Sequence, residues 1–263
     1  MPTSSKSSPK QAGSARKRVP PVAARTTDTA LLPSTSKGLD PPSPRPRRDL
    51  APARIADLLD RLAKAQPGAE CALNHRSPWE LLVATILSAQ CTDRRVNMVT
   101  PALFKTFSTP KAMAQASLPE LEELVRTTGF FRNKAKSIQG AAKAITERFG
   151  GKVPRTLAEL ITVPGAARKT ANVVLGVAYG LAEGVVVDTH VQRITRRLGL
   201  TRHTDPKKIE QDLIRIVPRE RWIAFSHELI LHGRALCIAR KPRCLDCPLE
   251  TTCWAPDKTW RSH

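Results

Sequence analysis

Val163 to Val174 read VPGAARKTANVV. Pro164 and Gly165 make a tight turn, and Gly165 is free to take the left-handed backbone that a sharp turn needs. An apolar run with helical spacing follows, and Thr156-Leu157-Ala158-Glu159 upstream carries a helix-capping pattern. The segment from Thr156 to Ala182 therefore reads helix, turn, helix. Arg168 and Lys169 stand where the second helix begins. A helix start carries partial positive charge, so cations are disfavoured there. Three readings account for the pair. The free N–H groups of a helix start bind phosphate, so a partner brings the anion that the cations meet. Alternatively, the position activates Lys169. An amine is a nucleophile only when neutral, and a helix start, a neighbouring arginine and partial burial all disfavour the ammonium form. The third reading is a plain solvated basic helix start.

The rest of the chain from Leu50 onward reads as short helices. Ser77-Pro78-Trp79-Glu80 is a capping box with proline at the first helical position, opening an apolar run to Leu87. Ser117-Leu118-Pro119-Glu120 repeats the logic, and Thr109-Pro110 and Asp205-Pro206 mark two further starts. Phe131 to Phe149 and Trp222 to Leu236 have helical spacing. No segment alternates as a strand, and Val185 to Val187 is too short to decide. The expectation is an all-α fold of about ten helices. Met1 to Asp49 is rich in Ser, Pro, Lys and Arg and poor in large apolar residues, which reads as a disordered basic arm.

Lys and Arg number 43 against 23 Asp and Glu, a net charge of +20. A surface that basic expects a polyanion, nucleic acid first and an acidic membrane second, with a merely soluble basic protein as the bland reading. No apolar run approaches the roughly 20 residues that span a bilayer, and no secretory signal pattern opens the chain. Membrane partnership is not expected, and a reducing compartment is. Cys237, Cys244, Cys247 and Cys253 are spaced C-x6-C-x2-C-x5-C. Four thiolates in one short segment suit a [4Fe–4S] cluster or a tetrahedral zinc, with a disulfide scaffold third. Cys71 stands apart as a plain thiol, and Cys91 reads as a small buried apolar residue.

These segments carry a resemblance. VPGAARKTANVV resembles the helix-hairpin-helix of the endonuclease III family of DNA glycosylases, whose hairpin usually reads LPGVGRKTA. VVVDTHVQR, LSAQCTD, GFFRNKAKSI and HGRALCIARKPRC are similar to further segments of that family, in its order, from about Ala51 to Cys253. The resemblance implies a six-helix barrel domain at 71–182 and an iron–sulfur cluster domain built from 50–70 and 183–253. Residues 1–49 are then the arm and 254–263 a tail, with the active site in the cleft between the two domains. It implies a bifunctional DNA glycosylase and abasic-site lyase of base-excision repair, acting on oxidised or ring-saturated pyrimidines in double-stranded DNA, as a monomer. Lys169 becomes the nucleophile and Asp188 its acidic partner, with Asp188 also placed as a helix N-cap. The four cysteines become ligands of a [4Fe–4S] cluster.

Further roles follow by the same resemblance. Gln90 fills the space that a rotated nucleotide leaves, and Phe130 is an apolar wedge, with core packing as its other reading. Phe131 reads as the more core-like of the two. Asp93 is a pocket residue or a helix cap. Gly165, Ala167 and Arg168 meet phosphate at the hairpin, as does His190, unless it is a packing histidine. Arg240, Lys241 and Arg243 form a DNA-facing basic loop. Ala167 stands where the family has a second glycine, which raises a cost if that backbone is left-handed. The other readings are a related glycosylase with a different base, such as adenine, a non-catalytic helix-hairpin-helix module, and an iron–sulfur electron carrier. The expected location is the nucleoid-bearing cytoplasm of a bacterium, or the nucleus or mitochondrion of a eukaryote.

Overall fold

Capping side chains set most of the helix starts. In this computed structural model, which describes residues 50–260, eleven α-helices and three 3-10 turns account for the regular structure, and no strand occurs among the described residues. The helices are α1 (Pro52–Ala65), α2 (Pro78–Leu87), α3 (Asp93–Thr106), α4 (Pro110–Gln115), α5 (Leu118–Val125) and α6 (Phe131–Arg148). They continue as α7 (Leu157–Leu160), α8 (Arg168–Tyr179), α9 (Thr189–Arg197), α10 (Pro206–Ile216) and α11 (Trp222–Ala235). The all-α expectation holds. The basic arm at 1–49 lies outside the described residues.

Each expected cap is made. Ser77, Thr109, Ser117, Thr156 and Asp205 accept a hydrogen bond from the backbone N–H three residues on, satisfying a donor that the helix itself leaves orphaned. Thr92, for which the sequence pattern gave no expectation, caps α3 in the same way. Val185 to Val187 is neither helix nor strand. It is a buried connection whose Val186 N–H donates to the Ser226 hydroxyl at 3.0 Å.

Two apolar cores organise these helices. One runs from Leu73 to Leu175 and is centred on α2, whose residues from Trp79 to Leu87 are mostly buried. α8 packs on α2, and α4 and α5 pack on α6. Such a helix, apolar on every side, is stable only when surrounded. Each fully buried leucine or isoleucine in it contributes about 2 kcal/mol. The second core joins Ile55 to Leu62 of α1 with Val185 to Leu249, and α11 packs on both α1 and α9. The hairpin belongs to the first core and the cysteine segment to the second. No helix among the described residues is long and apolar enough to cross a membrane.

Candidate functional site

The turn between α7 and α8 explains the cations at the helix start. Gly165 has φ +77°, and a β-carbon there would meet Ser137 Cβ at 3.1 Å and Ile86 Cδ1 at 3.2 Å. Conformation and space therefore both demand glycine. Ala167 is different. Its φ of −62° and ψ of 165° are extended, so alanine carries no left-handed strain, and that anticipated cost does not arise. Ala167 offers no side-chain cap, and the first backbone N–H with an acceptor inside the helix is that of Ala171. The amides at the start of α8 are thus available to an outside acceptor.

The two cations are not equivalent. Arg168 donates to both carboxylate oxygens of Glu210, at 2.8 and 3.2 Å, and Asn172 Nδ2 donates to the same carboxylate at 3.0 Å. Glu210 is buried on α10, and it holds the Arg168 guanidinium firmly charged, above its usual range. A β-carbon on Gly184 would lie 2.0 Å from Glu210 Oε1, so that glycine makes room for the pair. The protein itself supplies an anion to Arg168. Lys169 is exposed and has no partner among the described residues. It is not partly buried, as activation by burial would require. Its amine is left available because the neighbouring charge is already neutralised.

This pair also ties helices of the two cores together. Replacing Glu210 with glutamine should lower stability by about 2 kcal/mol, because a charged hydrogen-bonding partner is lost while Arg168 stays in place. A fall in the urea midpoint with an unchanged slope would show it.

Asp188 caps α9. Its Oδ1 accepts from the N–H groups of His190 and Val191, both at 2.8 Å. The carboxylate is half-buried and its other oxygen accepts no hydrogen bond among the described residues. The cap reading is therefore correct and leaves an oxygen for a second task. His190 packs under α11, where a β-carbon on Gly233 would meet its Nδ1 at 2.8 Å. Arg193 Nη2 lies 3.2 Å from that nitrogen, and burial holds the imidazole pKa below its ordinary value. A neutral, packed ring favours the packing reading over a charged phosphate contact.

Three non-glycine residues among those described have positive φ: Gln90 at 51°, Phe130 at 47° and Lys241 at 54°. All three are DNA contacts by the sequence resemblance. This backbone costs about 1–2 kcal/mol for a residue with a side chain, and such strain collects at functional sites. All three are also exposed, and Phe130, at 66% exposure, is not a core residue. Phe131 packs against the first core, as expected. Asp93 lies in the first turn of α3, behind the Thr92 cap, and its carboxylate accepts from Arg234 Nη2 at 2.6 Å. It joins α3 to α11 rather than standing open. Arg240 is exposed, whereas Arg243 donates to Asp246 at 2.7 Å.

All six cysteines are free thiols, which removes the disulfide reading. Cys91 is half-buried rather than buried. Cys237, Cys244, Cys247 and Cys253 line one cavity, together with Leu236, Pro242 and Ala255. No three His, Cys, Asp or Glu side chains among the described residues converge on a single ion position. A mononuclear zinc needs thiolates about 2.3 Å from one point, whereas a polynuclear cluster keeps them apart around a larger body. Burial pushes the Cys247 thiol up to about 11 and raises that of Cys253 as well. Thiols this basic stay protonated at neutral pH unless a cationic centre draws the proton off. Arg197 surrounds the same loop, donating to Cys237 Sγ at 3.3 Å and to the carbonyls of Ile238 and Ala239 at 2.8 and 3.0 Å. Arg193 adds 2.9 Å to the Cys237 carbonyl, so α9 carries Asp188 at one end and the cysteine loop along its flank. His232 is buried with Nε2 3.6 Å from Cys247 Sγ, and burial lowers its pKa to about 4. Glu210, Arg193, Arg197 and His232 escape a reading of the sequence. Their partners are distant in the chain, and no local spacing marks them.

The HhH-GPD superfamily of base excision DNA repair proteins matches residues 83–219. Endonuclease III of Synechocystis sp. (strain ATCC 27184 / PCC 6803 / Kazusa) is 56% identical over 200 residues, spanning 76% of this chain and 91% of that protein. Endonuclease III of Bacillus subtilis (strain 168) is 47% identical over 201 residues, spanning 76% and 91%. A solved structure of a trapped endonuclease III–DNA covalent intermediate, in an estranged-adenine complex, matches with a TM-score of 0.74 at 44% identity. It covers 77% of this chain and 95% of that one.

Proposed function

The chain belongs to the endonuclease III family, within the HhH-GPD superfamily of base excision DNA repair proteins, and we propose that it excises oxidised or ring-saturated pyrimidines through an imine on Lys169. It is a DNA glycosylase and abasic-site lyase, and it binds DNA. The observation that carries the assignment of Lys169 is its amine, unpartnered among the described residues, beside an arginine already bound to Glu210.

The chemistry calls for these residue types. Breaking the N-glycosidic bond builds positive charge on the sugar, which the Asp188 carboxylate opposes. The Lys169 amine bonds to the anomeric carbon as the base leaves with the bond pair and takes up a proton. The amine then loses its own protons, and the sugar ring opens to an imine. The imine acidifies the adjacent sugar carbon, whose deprotonation expels the 3′ phosphate. Water returns the lysine. A hydroxyl nucleophile forms no imine and would stop at base removal.

The substrate nucleotide must leave the stack to reach these groups. Gln90 and Phe130, exposed on strained turns, serve as the residues that enter the duplex, and the open amides of α8 with Gly165 receive phosphate. Arg240 and Lys241 extend that backbone contact. The two apolar cores support a division into a barrel at 71–182 and a second lobe of 50–70 and 183–253. On this reading the protein acts as a monomer on damaged or abasic duplex DNA.

Cys237, Cys244, Cys247 and Cys253 would hold a [4Fe–4S] cluster, which when bound braces the basic loop between them. Purified protein should be brown and carry about four iron and four sulfide per chain. Stoichiometric zinc without iron overturns this. The catalytic reading is tested by borohydride reduction in the presence of abasic-site and thymine-glycol duplexes. A covalent protein–DNA complex is expected with both, and its absence with both defeats the reading.

A further inference from the structure

Lys134 is an unusual lysine. It lies in the first turns of α6, near the end of the helix that disfavours a cation, and it is only 5% exposed. No carboxylate pairs with it among the described residues. Its Nζ donates to the Thr128 carbonyl at 2.7 Å. Burial pulls its pKa below the ordinary lysine value. A methionine would fill the same space without desolvating a charge, so packing alone does not account for lysine.

Its bonding partners explain the choice. Thr128 is two residues before Phe130. The Lys134 backbone N–H also donates to the Phe130 carbonyl at 3.1 Å. One buried lysine thus bonds both sides of the turn that holds exposed Phe130 in left-handed backbone. We infer that Lys134 is the positioning residue of the Phe130 wedge, its ammonium fixing the Thr128 turn so that Phe130 is already aimed when it enters the duplex. A wedge ordered beforehand loses less freedom on insertion, which favours opening the helix. The inference rests on the glycosylase reading above.

The test follows excision from a thymine-glycol duplex under single turnover, with 2-aminopurine beside the lesion to report unstacking. K134M should slow the fluorescence rise and the excision together, each about tenfold. K134Q, which can still donate to Thr128, should fall between K134M and the parent. Borohydride trapping on a single-stranded abasic oligonucleotide, which has no stack to open, counts folded active sites and should stay within about twofold. In an F130A background K134M should add less than about twofold, since the wedge through which it acts is gone. Full excision by K134M, or a loss that multiplies with F130A, overturns the inference. If K134M loses single-strand trapping, K134Q takes its place in the same cycle: a loss absorbed by F130A supports the inference, and a loss that multiplies overturns it. Failure of the parent protein to trap any abasic DNA would strike the lyase reading instead, and the unstacking signal would still judge Lys134.

Discussion

Changing Lys169 to alanine should reduce the borohydride-trapped complex by about a thousandfold or more, as loss of a covalent nucleophile does. Duplex affinity should stay within about threefold, since one exposed ammonium is one phosphate contact at most. Stability should move by no more than about 0.5 kcal/mol, because Lys169 is exposed and has no partner to lose among the described residues. The neighbour gives the contrast. Arg168→Ala breaks the bidentate contact to buried Glu210 and should destabilise the protein, yet every molecule that remains folded keeps its amine and still traps. The two adjacent substitutions therefore separate stability from chemistry in opposite directions. The measurements are trapping yield per folded molecule and the urea midpoint of each variant. Full trapping by Lys169→Ala would remove Lys169 from its role and leave a DNA-binding hairpin.

The same pair shows what a sequence can and cannot display. Helix starts are legible because a cap is local: Ser77, Thr109, Ser117, Thr156 and Asp205 each bond three residues ahead. The helix-turn-helix at Gly165 is legible for the same reason. Glu210 is not, because 42 residues separate it from Arg168 and nothing in the intervening spacing points across that gap. The charge placement at α8 looks like an invitation to DNA, and the fold adds a buried carboxylate that the local sequence does not show. Ala167 misleads in another way. A missing glycine signals lost conformational freedom only where φ is positive, and here it is −62°. Phe130 looks equally suited to a core or a wedge until the backbone turns it outward, a choice set by Gly129 and the turn before it rather than by its own apolar character. The cysteine spacing leaves zinc and iron–sulfur open.

Asp188 carries the second large effect, and its two roles can be pulled apart. Asparagine caps helices about as well as aspartate, and its carbonyl oxygen can accept the same two bonds from His190 and Val191. Asp188→Asn should therefore keep α9 and most of the stability. It removes the negative charge that would face a sugar becoming positive, so base excision should slow by about a hundredfold to a thousandfold. Strand cleavage at a preformed abasic site should suffer less. There the sugar is already an aldehyde in equilibrium, and the amine condenses with it without building that charge. Asp188→Ala loses both roles and should cost about 1 kcal/mol of stability in addition. The ratio of excision to abasic cleavage, measured for all three proteins under single turnover, decides between the readings. An asparagine variant with the parent ratio would mean that the carboxylate serves α9 alone. A selective loss of excision at unchanged stability would mean that one side chain both starts a helix and holds a charge against the sugar, with Oδ1 given to the first task and Oδ2 to the second.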